Sequence, residues 1–162
     1  MNARSTTTLH ARREEVDSLL AAGNAIGARS AIIRLWHEHG GPAVSGFVLS
    51  SLEKLSPGTP NAQCRVAILR SFTIEPMISV LRAAAAINGI DIQAQVGPFN
   101  SYVQEAVDPK SELYRFRPDV VFLALQARDI APDLWGRFAD LQPDQVKSAA
   151  SRVVADFRSW VQ

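Results

Sequence analysis

RVAILRSFTIEP, residues 65–76, decides how the rest of the chain is read. The run from Arg65 to Leu69 is apolar, short and bounded by turn-forming residues, which predicts a buried strand. A different rhythm follows: Met77, Val80, Leu81, Ala84 and Ile87 recur at helical spacing over residues 74–87. Gly89 suits the stop of that helix, because helix ends favour a residue that tolerates positive φ. Ser71 and Thr73 sit at the junction. A hydroxyl there has two readings. It is a nucleophile displayed at the tip of a strand, or it caps the helix by accepting from backbone N–H groups of the first turn.

Downstream the pattern repeats. DIQAQV, residues 91–96, alternates like a strand, and residues 100–107 suit a short helix. DVVFLAL, residues 119–125, is a near-continuous apolar run, as expected of a strand buried on both faces. Residues 144–161 predict a long amphipathic helix carrying Val146, Ala149, Val153, Val154, Phe157 and Trp160. Strands alternating with helices imply right-handed crossovers and a parallel sheet, hence an α/β fold. About three strands are few for such a sheet. Its outer edge therefore needs cover, from a helical part, a partner or further sequence.

Upstream, residues 9–55 read as a helical subdomain behind a disordered start at residues 1–8. Val16, Leu19 and Leu20 share one helix face and Gly23 ends it. Ile26, Ala28, Ile32, Ile33 and Trp36 line a second helix, which Gly40 and Gly41 end. Pro42 opens a third, with Val44, Phe47, Val48, Leu52 and Leu55 on its apolar side. SPGTPNAQ, residues 56–63, is the linker, and the α/β domain takes residues 64–162.

The bulk numbers exclude several functions. Lys and Arg total 17 against 16 Asp and Glu, so no strong field marks nucleic acid or an anionic membrane as a partner. One cysteine, Cys64, excludes an internal disulfide and points to a reducing, cytoplasmic setting, where it packs as a small residue just before the first strand. The N-terminal stretch has no signal-like apolar segment, and no run is long enough to span a bilayer. His37 and His39 are two apart on a helix and diverge, so no metal site is expected. No glycine-rich phosphate loop accompanies the first strand, and no cofactor is implied.

In open parallel sheets, ligands meet the carboxyl ends of the strands. Ser71 and Thr73 follow the first strand, Gly97 and Asn100 the second, and Gln126, Arg128 and Asp129 the third. These loops converge on one rim. Ser71 is the candidate nucleophile there, and Thr73, Gly97, Asn100, Gln126, Arg128 and Asp129 form the candidate substrate-binding set. Backbone N–H groups at helix starts would add to a phosphate or carboxylate site.

Several spaced landmarks carry a family resemblance. They are Ser71-Phe72-Thr73, Asn100-Ser101-Tyr102, Asp108-Pro109, Ser111, Leu113-Tyr114 and Pro118-Asp119. Together they resemble the N-terminal domain of FkbH-like proteins. The resemblance implies a partial three-layer sheet of the flavodoxin and SGNH-hydrolase kind. In that family a second, haloacid-dehalogenase-like half loads a glyceryl unit from a bisphosphoglycerate onto an acyl carrier protein for polyketide-type biosynthesis. That half opens with a motif like DLDNTLW, which this sequence lacks, so the chain is expected to correspond to the first half.

By the same resemblance Ser71 takes the place of the SGNH nucleophile, but with altered surroundings. Arg70 and Phe72 flank it where a GDS-like sequence is usual, and Arg128 falls where an oxyanion-hole asparagine is usual. A serine hydroxyl needs an adjacent base, and His10, His37 and His39 all precede the α/β part. The expectation is an accessory or binding domain that positions an acyl carrier protein, or an acyl or phosphate substrate, for a haloacid-dehalogenase-like partner domain. The alternatives are an SGNH-type esterase or acyltransferase using Ser71, and a structural interaction module, including one that forms a homo-oligomer.

Overall fold

The structure, a computed structural model, describes residues 3–55 and 62–160. In chain order the elements are helices α1 (Ala3–Ala21), α2 (Ala25–His39) and α3 (Pro42–Leu55), strand β1 (Ala62–Arg70), α4 (Glu75–Ala86), β2 (Ile90–Phe99), α5 (Tyr102–Val107), α6 (Glu112–Phe116), β3 (Val120–Ala124), α7 (Ala127–Ile130), α8 (Pro132–Gly136), a 3-10 turn (Phe138–Asp140) and α9 (Pro143–Trp160). The chain is an α/β protein with an open, three-stranded parallel sheet ordered β2-β1-β3. Two compact units divide it: residues 1–64 with 75–93, and residues 65–74 with 94–162.

In the first unit α1 to α3 pack through most of their expected faces, with two departures on α2: Ile26 is 84% exposed, and Leu35, outside the expected face, is buried. Val16, Ile32, Leu35 and Val48 are fully buried in one cluster. Gly23 ends α1 at φ 68, where its N–H donates to Leu20 O and the Asn24 N–H donates to Leu19 O. A side chain with a Cβ would be strained in that left-handed turn. Asn24 then caps α2, its Oδ1 accepting from the Gly27 N–H at 3.0 Å. Helix α4 belongs to this unit, whereas the sequence reading groups it with the sheet. The reason is its small-residue face. Ala83 is buried in the helical cluster, and the Ser45 hydroxyl donates to Ser79 Oγ at 3.0 Å.

Helix α1 begins at Ala3, inside the stretch expected to be disordered. The expected linker lies outside the described residues over 56–61, and Ala62 and Gln63 belong to β1. Cys64 is likewise within β1 instead of preceding it.

In the second unit β1 is the central strand. Val66, Ala67, Ile68 and Leu69 are buried, and they align in parallel with Val120, Val121, Phe122 and Leu123 of β3. The start of this pairing is clamped. The Asp119 N–H donates to Arg65 O at 2.8 Å, the Arg65 N–H donates to Asp119 Oδ2 at 2.7 Å, and the Arg65 guanidinium reaches Asp119 Oδ1 at 3.3 Å. Strand β3 departs from expectation: it is an edge strand, and Val120 to Leu123 are each 41–47% exposed instead of buried on both faces. Its composition registers a surface that favours burial, not what covers it. Among the described residues no strand pairs with its outer edge.

The small core of this unit gathers Ala67, Leu69, Tyr102, Ala106 and Leu113, with Trp160 of α9 against them. The Tyr102 and Trp160 rings meet edge to face at 5.6 Å. Several landmark residues brace this region. Ser111 Oγ donates to Glu105 O at 2.8 Å, Glu105 Oε2 accepts from the Leu113 N–H at 3.0 Å, and the Tyr114 hydroxyl donates to Ala106 O at 2.7 Å. These contacts fix α5 against α6, so much of what carries the family resemblance is architectural.

Candidate functional site at the carboxyl end of the sheet

The three loops do meet where the topology directs them, and β1 is the hinge of the arrangement. The Ser71 N–H extends the ladder by donating to Ala124 O at 3.0 Å. The Ser71 hydroxyl accepts from the Gln126 N–H at 2.8 Å, joining residues 55 apart in sequence. On the other side the Asn100 N–H donates to Arg70 O at 3.0 Å. Ser71 and Asn100 are thus tied to the strand ends by backbone hydrogen bonds, and Gln126 by the Ser71 hydroxyl.

Ser71 is 4% exposed, and one lone pair of its oxygen is occupied by an amide. That is the chemistry of a tie between two strand ends. A nucleophile needs the opposite, an accessible oxygen whose proton passes to a base. The residues of this unit include no histidine, since the last one in the sequence is His39. The capping role also falls away from Ser71. Helix α4 begins at Glu75, which puts Ile74 in the capping position and Ser71 further back. Thr73 is exposed in the same turn.

Gly97 lies within β2 and not in the loop after it, which corrects the expected position. It is buried, and a Cβ there would stand 3.1 Å from Leu69 Cδ2, so glycine permits the close approach of β2 to β1. Its carbonyl accepts from Arg70 Nε at 3.2 Å. The Arg70 guanidinium lies 6.0 Å from the centre of the Phe99 ring, which is 59% exposed. Asn100 adopts φ 58, a left-handed conformation that asparagine tolerates better than most residues. It makes the turn that carries the chain from β2 into α5.

Arg128 and Asp129 lie on α7, their charged groups 3.9 Å apart, with the Arg128 side chain 60% exposed. Asp129 also acts on Tyr102. Burial pushes the Tyr102 hydroxyl above its ordinary pKa, and the Asp129 charge adds to that shift. Tyr102 is the residue of this neighbourhood that the candidate set omits. The sequence signal for it was present, since it belongs to the Asn100-Ser101-Tyr102 landmark. The rim therefore offers one exposed cation on α7, an exposed aromatic ring, an exposed threonine and a strained asparagine turn. Among the described residues no three His, Cys, Asp or Glu side chains gather in a metal-binding cluster.

Comparison with known proteins gives a fold relation. No protein-family model matches the sequence, and no curated protein matches it. Among solved structures, the chain is similar to the N-terminal part of the protein BF1531 from Bacteroides fragilis, a part described as containing a phosphatase domain complexed with Mg. The TM-score is 0.52 at 15% sequence identity, over 62% of this chain and 26% of that one. The chain thus spans about a quarter of the neighbour's length, and at this identity the likeness is one of fold.

Proposed function

We propose that this chain is a binding and positioning domain of an FkbH-like loading system, presenting an acyl carrier protein or an acyl or phosphate substrate to a haloacid-dehalogenase-like partner domain. The observation that carries this reading is the state of Ser71: buried, accepting from the Gln126 N–H, and without a histidine in its own unit. A fold related to part of a protein that contains a phosphatase domain also supports it. Carrier proteins present an acidic helix and a phosphopantetheine arm, and exposed Arg128 and Thr73 offer a cation and a hydroxyl to meet them. The test is a titration of phosphopantetheinylated carrier protein onto the chain by calorimetry. Saturable binding that weakens at least about tenfold in Arg128→Glu is expected; binding that ignores this change removes the rim from the interface. Stoichiometric fluorophosphonate adduct at Ser71 would replace the reading with an SGNH-type esterase or acyltransferase.

One observation favours a second reading, a structural interaction module. The exposed apolar strand β3 is a surface of the kind that joins another strand. Sedimentation velocity across a concentration series distinguishes it: reversible self-association that a charge in β3 abolishes is its signature.

A further inference from the structure

An apolar cleft of about 540 Å³ opens beside β3, apart from the rim. Leu69, Leu113, Val121, Leu123 and Trp160 supply its walls, and Tyr114 and Arg117 also line it. The Tyr114 hydroxyl is already engaged with Ala106 O, so this wall presents its ring. The volume lies within the range of small-molecule pockets.

The charge in this cleft has one sign. Its lining includes Arg117 and no aspartate or glutamate. The acids nearest in sequence are engaged elsewhere: Glu112 pairs with Arg115 at 2.8 Å, and Asp119 with Arg65 at 3.3 Å. Among the described residues Arg117 makes no ion pair. Its backbone is also unusual. It ends α6 at φ 51 and ψ 61, a conformation in which a residue with a Cβ is strained. A second opening, between α8 and α9, mixes Arg137 and Arg152 with Asp133 and Asp144, and Arg152 already pairs with Asp133 at 3.3 Å. It lacks this one-sided character.

We propose that the cleft beside β3 binds a linear acyl chain whose anionic head pairs with Arg117. The hydrocarbon lies along Val121, Leu123 and Trp160, over the buried Leu69, and removes the exposed surface of Val121 and Leu123 from water. The head group, a carboxylate or a phosphate monoester, pairs with the guanidinium, which offers either a forked set of donors. This site shares none of the rim residues Ser71, Thr73, Gly97, Asn100, Gln126, Arg128 and Asp129. It stands or fails independently of the function proposed above.

Calorimetric titration of the full chain with decanoate, decyl phosphate and decan-1-ol tests the assignment. One equivalent of at least one anionic ligand is expected to bind, about tenfold or more tighter than the alcohol. Arg117→Gln should reduce the affinity for the anion to that for the alcohol, and Arg117→Lys should retain part of the difference. Leu123→Trp, which fills the cleft, should weaken all the ligands. Preference between decanoate and decyl phosphate identifies the head group, and either preference supports the site. The proposal is overturned if neither anion binds saturably, if the alcohol matches the anions, or if Arg117→Gln leaves anion affinity unchanged. Arg117 is exposed, so its variants decide the matter even where Leu123→Trp does not fold.

Discussion

Strands β1 and β3 are written in nearly the same alphabet and meet opposite fates. Val66-Ala67-Ile68-Leu69 lies beside Val120-Val121-Phe122-Leu123 in parallel register. The first run is 2–3% exposed and the second 41–47%. Composition alone does not separate them. Position does: β1 is flanked by strands on both sides, while β3 has one neighbour. Apolar sequence states what a segment requires from its surroundings, and topology determines whether that requirement is met.

The largest expected effect tests this contrast directly. Ile68→Ala should lower the unfolding free energy by about 2–5 kcal/mol in urea titration, as expected for a buried large-to-small change. Phe122→Ala, at its register partner, should cost less than about 1 kcal/mol. Equal losses would mean that β3 is covered in solution.

Next comes Ser71→Ala, expected to cost about 1–3 kcal/mol because it leaves the half-buried Gln126 amide without its acceptor. Thr73→Ala, in the exposed part of the same turn, should stay within about 0.5 kcal/mol. If the two are equal, the tie between strand ends carries no weight.

Phe122→Lys should change stability little while reducing self-association in sedimentation velocity, since a charged lysine discourages edge pairing. Loss of the folded state in this variant would again indicate a covered strand.

The smallest effect concerns pH. The Asp119 carboxyl is held below its ordinary pKa, first by the Arg65 N–H and then by the Arg65 guanidinium. A folded pKa below the unfolded one gives stability that is present above the ordinary carboxylate value of about 4 and is lost as pH falls through the lower folded value. Asp119→Asn should therefore flatten the acid limb of the stability curve and leave its neutral plateau pH-independent. An unchanged acid limb would remove the clamp from the account.

Much of the fold was legible because its signals are local. Helices α1 to α3 follow from Val16, Ile32 and Val48 on periodic faces, and β1 from its short apolar run. The end of β2 was not legible at Gly97-Pro98, since both residues read as breakers. An edge strand tolerates them, because it pairs along one side only. Helices α6, α7 and α8 run for five, four and five residues, too short for periodicity to register. The rim was legible as a place, through the rule for parallel sheets. The state of Ser71 was not, because its partner Gln126 is 55 residues away and contributes a backbone amide that any residue there would provide. Arg117 stood in the sequence as one arginine among several. Its left-handed turn and its cleft appear only in three dimensions.

The Arg65–Asp119 clamp also bears on the order in which the molecule assembles. It joins residues 54 apart, so closing it costs on the order of 3–4 kcal/mol of chain entropy before any pairing energy returns. On the ribosome β1 is synthesised well ahead of β3 and waits for a neighbour that α4, β2, α5 and α6 precede. The sheet therefore has a high contact order, which slows its completion. During that interval Val66 to Leu69 have only β2 to pair with, and the side that β3 will take stays an open apolar edge exposed to wrong association. Once made, the clamp fixes the register of β3 just ahead of its first pair, Val66 with Val120.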